Sequence, residues 1–75
     1  LRGRFQETYI VNQWAEIMGK PIAERTGRIY IRKKILYLEL LSAPLKQELQ
    51  SHKQKLIEKL NQLTASGAIE DIIFL

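Results

Sequence analysis

Residues 28–41 read Arg28-Ile29-Tyr30-Ile31-Arg32-Lys33-Lys34-Ile35-Leu36-Tyr37-Leu38-Glu39-Leu40-Leu41, two alternating runs that meet at a pair of lysines. Polar and apolar residues alternate from Arg28 to Arg32 and again from Ile35 to Leu41, the period of a strand, so the stretch predicts a hairpin turning at Lys33 and Lys34. With those lysines at the tip, Arg32 faces Ile35, Tyr30 faces Tyr37 and Arg28 faces Glu39. Ile29 and Ile31 then share the opposite face with Leu36, Leu38 and Leu40, and a four-residue loop would preserve the same parity. The aliphatic face is the core side, which leaves two paired tyrosines, two arginines and Glu39 on the other. A tight type I′ turn needs positive φ at both central residues, and Lys-Lys supplies that poorly, so a looser tip is expected.

Outward from the hairpin, helices are expected on both sides. Residues 6 to 18 carry Tyr9, Ile10, Trp14, Ile17 and Met18 at helical spacing, and Gly19 followed by Pro21 stops the helix. Pro21 to Thr26 makes a further turn, and Gly27 breaks the chain before the period changes. Beyond the hairpin, Pro44 suits the first turn of a helix after Ser42 and Ala43. The pattern then runs helically to about Ala65, with Ser66-Gly67 as its end. Leu45, Leu49, His52, Leu56, Leu60 and Leu63 form its stripe, which places His52 in a packed or rim position. Lys46 and Lys53 flank the stripe on one side, Lys55 and Lys59 on the other. Ile69 to Leu75 is β-rich and gives a third strand. The order helix, strand, strand, helix, strand defines a small α+β domain, a three-stranded sheet with helices packed on one face.

The chain has 75 residues, 12 Lys plus Arg against 8 Asp plus Glu, one His and no Cys. Its length suits one domain, residues 1–75, and a start at Leu1 rather than Met is read as part of a slightly longer polypeptide. Without Cys there is no disulfide framework or thiolate metal site, and one His builds no multi-histidine site, so neither a metal nor another cofactor is expected. No apolar run exceeds four residues, far short of a membrane span, and no signal-peptide core is present. The expectation is an intracellular protein with no membrane partner.

The net charge of +4 is unevenly placed. Arg25, Arg28, Arg32, Lys33 and Lys34 lie within ten residues that hold no acid, so this segment is +5 and the remainder −1. Clustered cations are a footprint for a polyanion or, alternatively, a solvated basic turn. Tyr30 and Tyr37 lie between them, so the candidate nucleic-acid residues are Arg25, Arg28, Tyr30, Arg32, Lys33, Lys34 and Tyr37. On that reading the rings stack on unstacked bases while about five cations neutralise phosphates, and the log–log salt slope for single strands is near −3.5. On the competing reading, a helix covers this face and both tyrosines are core. Trp14 is the candidate protein-partner residue, an interface anchor if exposed and a core residue if buried among Ile10, Ile17 and Met18. Catalysis finds no support: Asp71 is the lone Asp, no Ser is followed by an obvious base, and Gly3, Gly19, Gly27 and Gly67 form no phosphate loop.

The run Trp14-Ala15-Glu16-Ile17-Met18-Gly19 with Ile22-Ala23, then Leu36-Tyr37-Leu38, Ser42-Ala43-Pro44-Leu45 with Glu48-Leu49, Leu56, Leu60-Asn61 and Ile69-Glu70-Asp71-Ile72-Ile73-Phe74 resembles the DciA family of bacterial replicative-helicase loaders. The likeness extends from about Tyr9 onward. It implies a cytoplasmic KH-like domain that binds the hexameric DnaB-type helicase, assists its placement on DNA and contacts single-stranded or branched DNA, with no ATPase activity of its own. Two features depart from what the resemblance suggests. Lys33-Lys34 replaces an Asn-Gly-like turn, and no Gly-x-x-Gly is present, the loop by which true KH domains clamp a backbone. Nucleic acid must then be held in another way. The alternatives are a general RNA- or DNA-binding KH-like module and a protein-interaction domain without significant nucleic-acid binding. An exposed strand edge would also allow a homodimer.

Overall fold

The computed structural model describes residues 8–64 and 67–75, and the expected helix start at 6 and helix end at 65–66 lie outside them. Helical residues 8–12 (α1) lead through a turn at Gln13 into α2 (Trp14–Met18). The helical hydrogen bonds continue across that turn, with the Gln13 N–H donating to Tyr9 O at 2.9 Å and Ile17 N–H to Gln13 O at 2.8 Å. Gly19 ends the helix as read, at φ 92°, a conformation most side chains avoid. The further turn is α3 (Lys20–Glu24), with Pro21 in its first turn where a missing N–H costs nothing.

The hairpin follows as β1 (Thr26–Arg32) and β2 (Ile35–Leu40), antiparallel, with Tyr30 opposite Tyr37 and Arg32 opposite Ile35. The expected looser tip is not found. Lys33 and Lys34 form a two-residue turn with φ 52° and 67°, the signature of type I′, whose twist matches that of the flanking strands. Strand pairing thus holds two non-glycine residues in the left-handed region, at a cost of about 1–2 kcal/mol each. The far end of the hairpin departs too. Thr26 pairs with Leu40, so Gly27 and Arg28 together oppose Glu39 in a β-bulge where simple alternation had Arg28 facing Glu39. A Cβ on Gly27 would overlap the Glu39 carboxylate, so glycine is what lets that carboxylate reach the Arg28 backbone.

Ser42 caps the next helix, its Oγ accepting from Leu45 N–H at 3.4 Å, with Pro44 in the first turn. The single long helix expected here is two: α4 (Ala43–Ser51) and α5 (Lys53–Leu63), parted at His52 with φ −115° and ψ 27°. Ser51 Oγ donates back to Gln47 O at 2.9 Å, a bond that competes with the helical ladder and bends it. His52 N–H tightens to Leu49 O at 3.1 Å. The bend re-aims the stripe, so Leu56, Ile57 and Leu60 are buried, whereas His52 and Leu63 are exposed.

The third strand is β3 (Asp71–Phe74), parallel to β2, with Leu36 opposite Ile72 and Tyr37 opposite Ile73. The sheet order is β1-β2-β3, with helices α4 and α5 supplying the crossover that a parallel pair requires. The core joins Leu36, Leu38, Leu40 and Ile72 from one face of the sheet to Ile10, Trp14, Leu56, Ile57 and Leu60 from the helices, with Ile69. This is the α+β arrangement expected, with the helices on the aliphatic face.

Asn61 fixes the approach to β3. Its Nδ2 donates to Ile69 O and its Oδ1 accepts from Ile69 N–H, both at 2.8 Å, which satisfies a backbone segment entering the core outside any ladder. Replacing Asn61 with Ala is expected to lower stability by about 2 kcal/mol, because both Ile69 groups lose their partners. The check is urea denaturation, in which the midpoint falls at unchanged m.

Candidate nucleic-acid interface

Because the aliphatic face faces the helices, strand alternation puts Arg28, Tyr30 and Arg32 of β1, Ile35, Tyr37 and Glu39 of β2, and Ile73 of β3 on the other face, while Asp71 at the start of β3 reaches Lys53 of α5. Tyr30 is 37% exposed and Ile73 40%, so this face is open and neither tyrosine belongs to the core cluster. Tyr30, Tyr37 and Ile73 form one row across all three strands. The two rings stack on each other, with centroids 4.9 Å apart and planes 12° from parallel, and the Arg32 guanidinium lies 6.0 Å from the Tyr30 centroid. Such a ring pair contributes about 0.5–1.5 kcal/mol beyond burial. One side of each ring is therefore already used by the other, and the pair has only its outer sides to offer, where the sequence reading left both rings free.

The cations do not act as one cluster. Arg28 donates its N–H to Glu39 Oε1 at 2.9 Å and its Nε to the same oxygen at 3.4 Å. Those contacts, led by the backbone hydrogen bond, hold the Glu39 carboxyl below the usual carboxylate range. Lys34 Nζ lies 4.0 Å from Glu70 Oε1, both well exposed, a weak pair that a phosphate can replace. Arg32 and Lys33 have no acidic partner among the described residues. The tip therefore presents Arg32, Lys33 and Lys34. Arg25 lies at the other end of β1, separated from the tip by about 23 Å of strand. Its Nη1 donates to Pro21 O at 3.0 Å, beside an open groove of about 360 Å³ lined by Pro21, Ile22, Ser42, Pro44, Leu45 and Glu48. The structure thus places Arg25 outside the tip, and keeps Arg28 on the open face in a carboxylate's grip.

Of the two places open to Trp14, the structure gives it the core. Only 4% exposed, its indole Nε1 donates to Thr26 Oγ1 at 2.9 Å, and Thr26 Oγ1 donates on to Ile22 O at 2.8 Å. This relay ties α2, α3 and β1 together. Trp14 is a core residue here, with no surface to give a partner.

Sequence reasoning missed Ile73, Asp71 and Lys53. The Lys53 ammonium meets Asp71 Oδ1 at 2.8 Å, and Ile72 N–H donates to the same oxygen at 2.8 Å, so Lys53 chiefly, then that backbone hydrogen bond, hold the Asp71 carboxyl low. Residues 72–75 are apolar on both faces, so only the register with β2 shows which face Ile73 occupies.

A three-stranded mixed sheet with helices on one face and a basic hairpin tip beyond it defines a small α+β domain. The family described as Dna[CI] antecedent, DciA, matches residues 1–74, and the chain belongs to that family. Searches of curated proteins and of solved structures each found no match. No helix among the described residues is long and apolar enough to cross a membrane.

Glu39 and Asp71 link the stability of the fold to pH. Both carboxyls are lowered in the folded state, so the stability they contribute is complete above the ordinary carboxylate range and is lost as pH falls through the lowered folded values. Urea midpoints measured down the acid limb are expected to fall, and the Glu39→Gln, Asp71→Asn double variant to show a shallower fall.

Proposed function

We propose that this chain is a non-enzymatic accessory protein of DNA replication in the cytoplasm that binds the DnaB-type replicative helicase and assists its loading on single-stranded or branched DNA. The observation that carries this reading is membership of the DciA family over residues 1–74. The site adds a way to hold DNA without a Gly-x-x-Gly loop: Arg32, Lys33 and Lys34 neutralise phosphates from the hairpin tip, while the Tyr30–Tyr37 pair flanks the strand. The positive φ of both lysines supports this. Asn-Gly would make the same turn with less strain, and strain retained at a tip bearing two ammonium groups is consistent with a use for those groups.

The test of the helicase reading is retention of the cognate DnaB-type helicase by the immobilised chain, with and without single-stranded DNA. Retention is expected in both conditions, and its absence in both would overturn the reading.

The DNA site is tested by salt titration. Three cations at the tip predict a log–log slope near −2 for single strands, at about −0.7 per phosphate, where five would give about −3.5. The variant Lys33→Asn with Lys34→Gly is expected to gain about 1–2 kcal/mol of stability from the relieved turn. Its slope should fall to about −0.7, since Arg32 alone remains. A variant that is more stable yet binds with an unchanged slope would place the DNA elsewhere.

A further inference from the structure

β1 is an outer strand of the sheet, and no described residue pairs with its free edge. A two-residue turn makes Arg32 and Ile35 the closing hydrogen-bonded pair, so by alternation Tyr30 and Tyr37 exchange bonds, and Ile29 and Ile31 aim their N–H and C=O groups away from β2. The bulge at Gly27 and Arg28 ends this regular edge, leaving a short template for one added strand.

The open-face side chains of that edge form a pattern: Arg28, Tyr30, Arg32, cation, ring, cation, at two-residue intervals. The Arg28 side chain is 69% exposed despite its contact with Glu39, and that contact uses one of five guanidinium donors. Arg32 has no acidic partner among the described residues. If two copies paired antiparallel through this edge with Tyr30 opposite Tyr30, each Arg28 would oppose an Arg32, and like charges directly across strands repel. The edge is thus set against its own kind and suited to a strand of opposite charge.

We infer that the β1 edge receives an extended segment of another protein that carries an acidic residue two positions on either side of an aromatic or aliphatic one. The segment adds as a fourth strand. Its backbone bonds Ile29 and Ile31, its central side chain lies against the exposed side of Tyr30, and its two carboxylates meet Arg28 and Arg32. Backbone pairing supplies affinity, and the two charges supply choice. Because Arg32 also serves the tip, the segment and single-stranded DNA compete.

The experiment is an amide-resolved NMR titration of the chain with the capped peptide Ser-Glu-Val-Tyr-Val-Glu-Ser, against Ser-Lys-Val-Tyr-Val-Lys-Ser. The acidic peptide is expected to shift the amides of Ile29 to Arg32 and to slow hydrogen exchange at Ile29 and Ile31, while the basic peptide does neither. Arg32→Glu, an exposed change, should weaken the acidic peptide by about fivefold or more, with Leu36 and Leu38 signals unmoved. Lys33→Asn with Lys34→Gly should leave peptide binding intact while DNA binding falls, which separates this site from the DNA reading. Equal binding of both peptides, shifts centred on the helices, no shifts at all, or a dimer of the chain through β1 would each overturn the proposal.

Discussion

The parity of the β1–β2 hairpin is the constraint on which the remaining structure depends. A strand displays its side chains alternately on two faces, so a register slip of one residue would turn Leu36, Leu38 and Leu40 outward and Tyr37 inward. The turn at Lys33 and Lys34 sets that register by adopting type I′, a two-residue geometry that continues the strand twist. Both lysines take positive φ because burial of three leucines on the correct side outweighs about 1–2 kcal/mol of strain at each.

Once the leucines face one way, the helices have a single surface on which to pack, and two polar devices hold them there. Trp14, Thr26 and Ile22 form a hydrogen-bonded relay that anchors the first helices beside the start of β1. Asn61 grips both backbone groups of Ile69, so β3 enters beside β2 in the register that buries Ile72 and exposes Ile73. The opposite face is then left to arginines, stacked tyrosines and Glu39. The carboxylates of Glu39 and Asp71 are used locally, on the bulge and on Lys53, and among the hairpin's cations Arg32 and Lys33, at the tip, have no acidic partner among the described residues.

Much of this was legible because it rests on period and parity. The strand alternation gave the Tyr30–Tyr37 pairing, the core leucines and the open face, and Gly19 and Pro44 marked helix boundaries for steric reasons that hold in any context. What escaped depends on three-dimensional neighbours. Simple alternation cannot reveal that Gly27 and Arg28 together oppose Glu39, since the bulge is a compromise between the ladder and a carboxylate seeking a backbone N–H. The bend at His52 left no Gly or Pro as a signal, and a stripe of leucines at unbroken helical spacing concealed it. Trp14 was ambiguous because apolar neighbours on its own helix fit either a core or an interface. The +5 segment overstated the site, because a linear count omits Glu39 and Glu70, which the fold brings alongside.

The two faces of one small sheet are therefore unlike: the aliphatic side is buried against the helices and the other is open. Solvent paramagnetic relaxation of the leucine and isoleucine methyl groups tests that division most directly, using a soluble probe that reports depth from the surface. The account predicts strong relaxation at Ile73 and Leu75 and weak relaxation at Leu36, Leu38 and Ile72. Similar rates for Ile73 and Ile72, neighbours on opposite faces of β3, would contradict it.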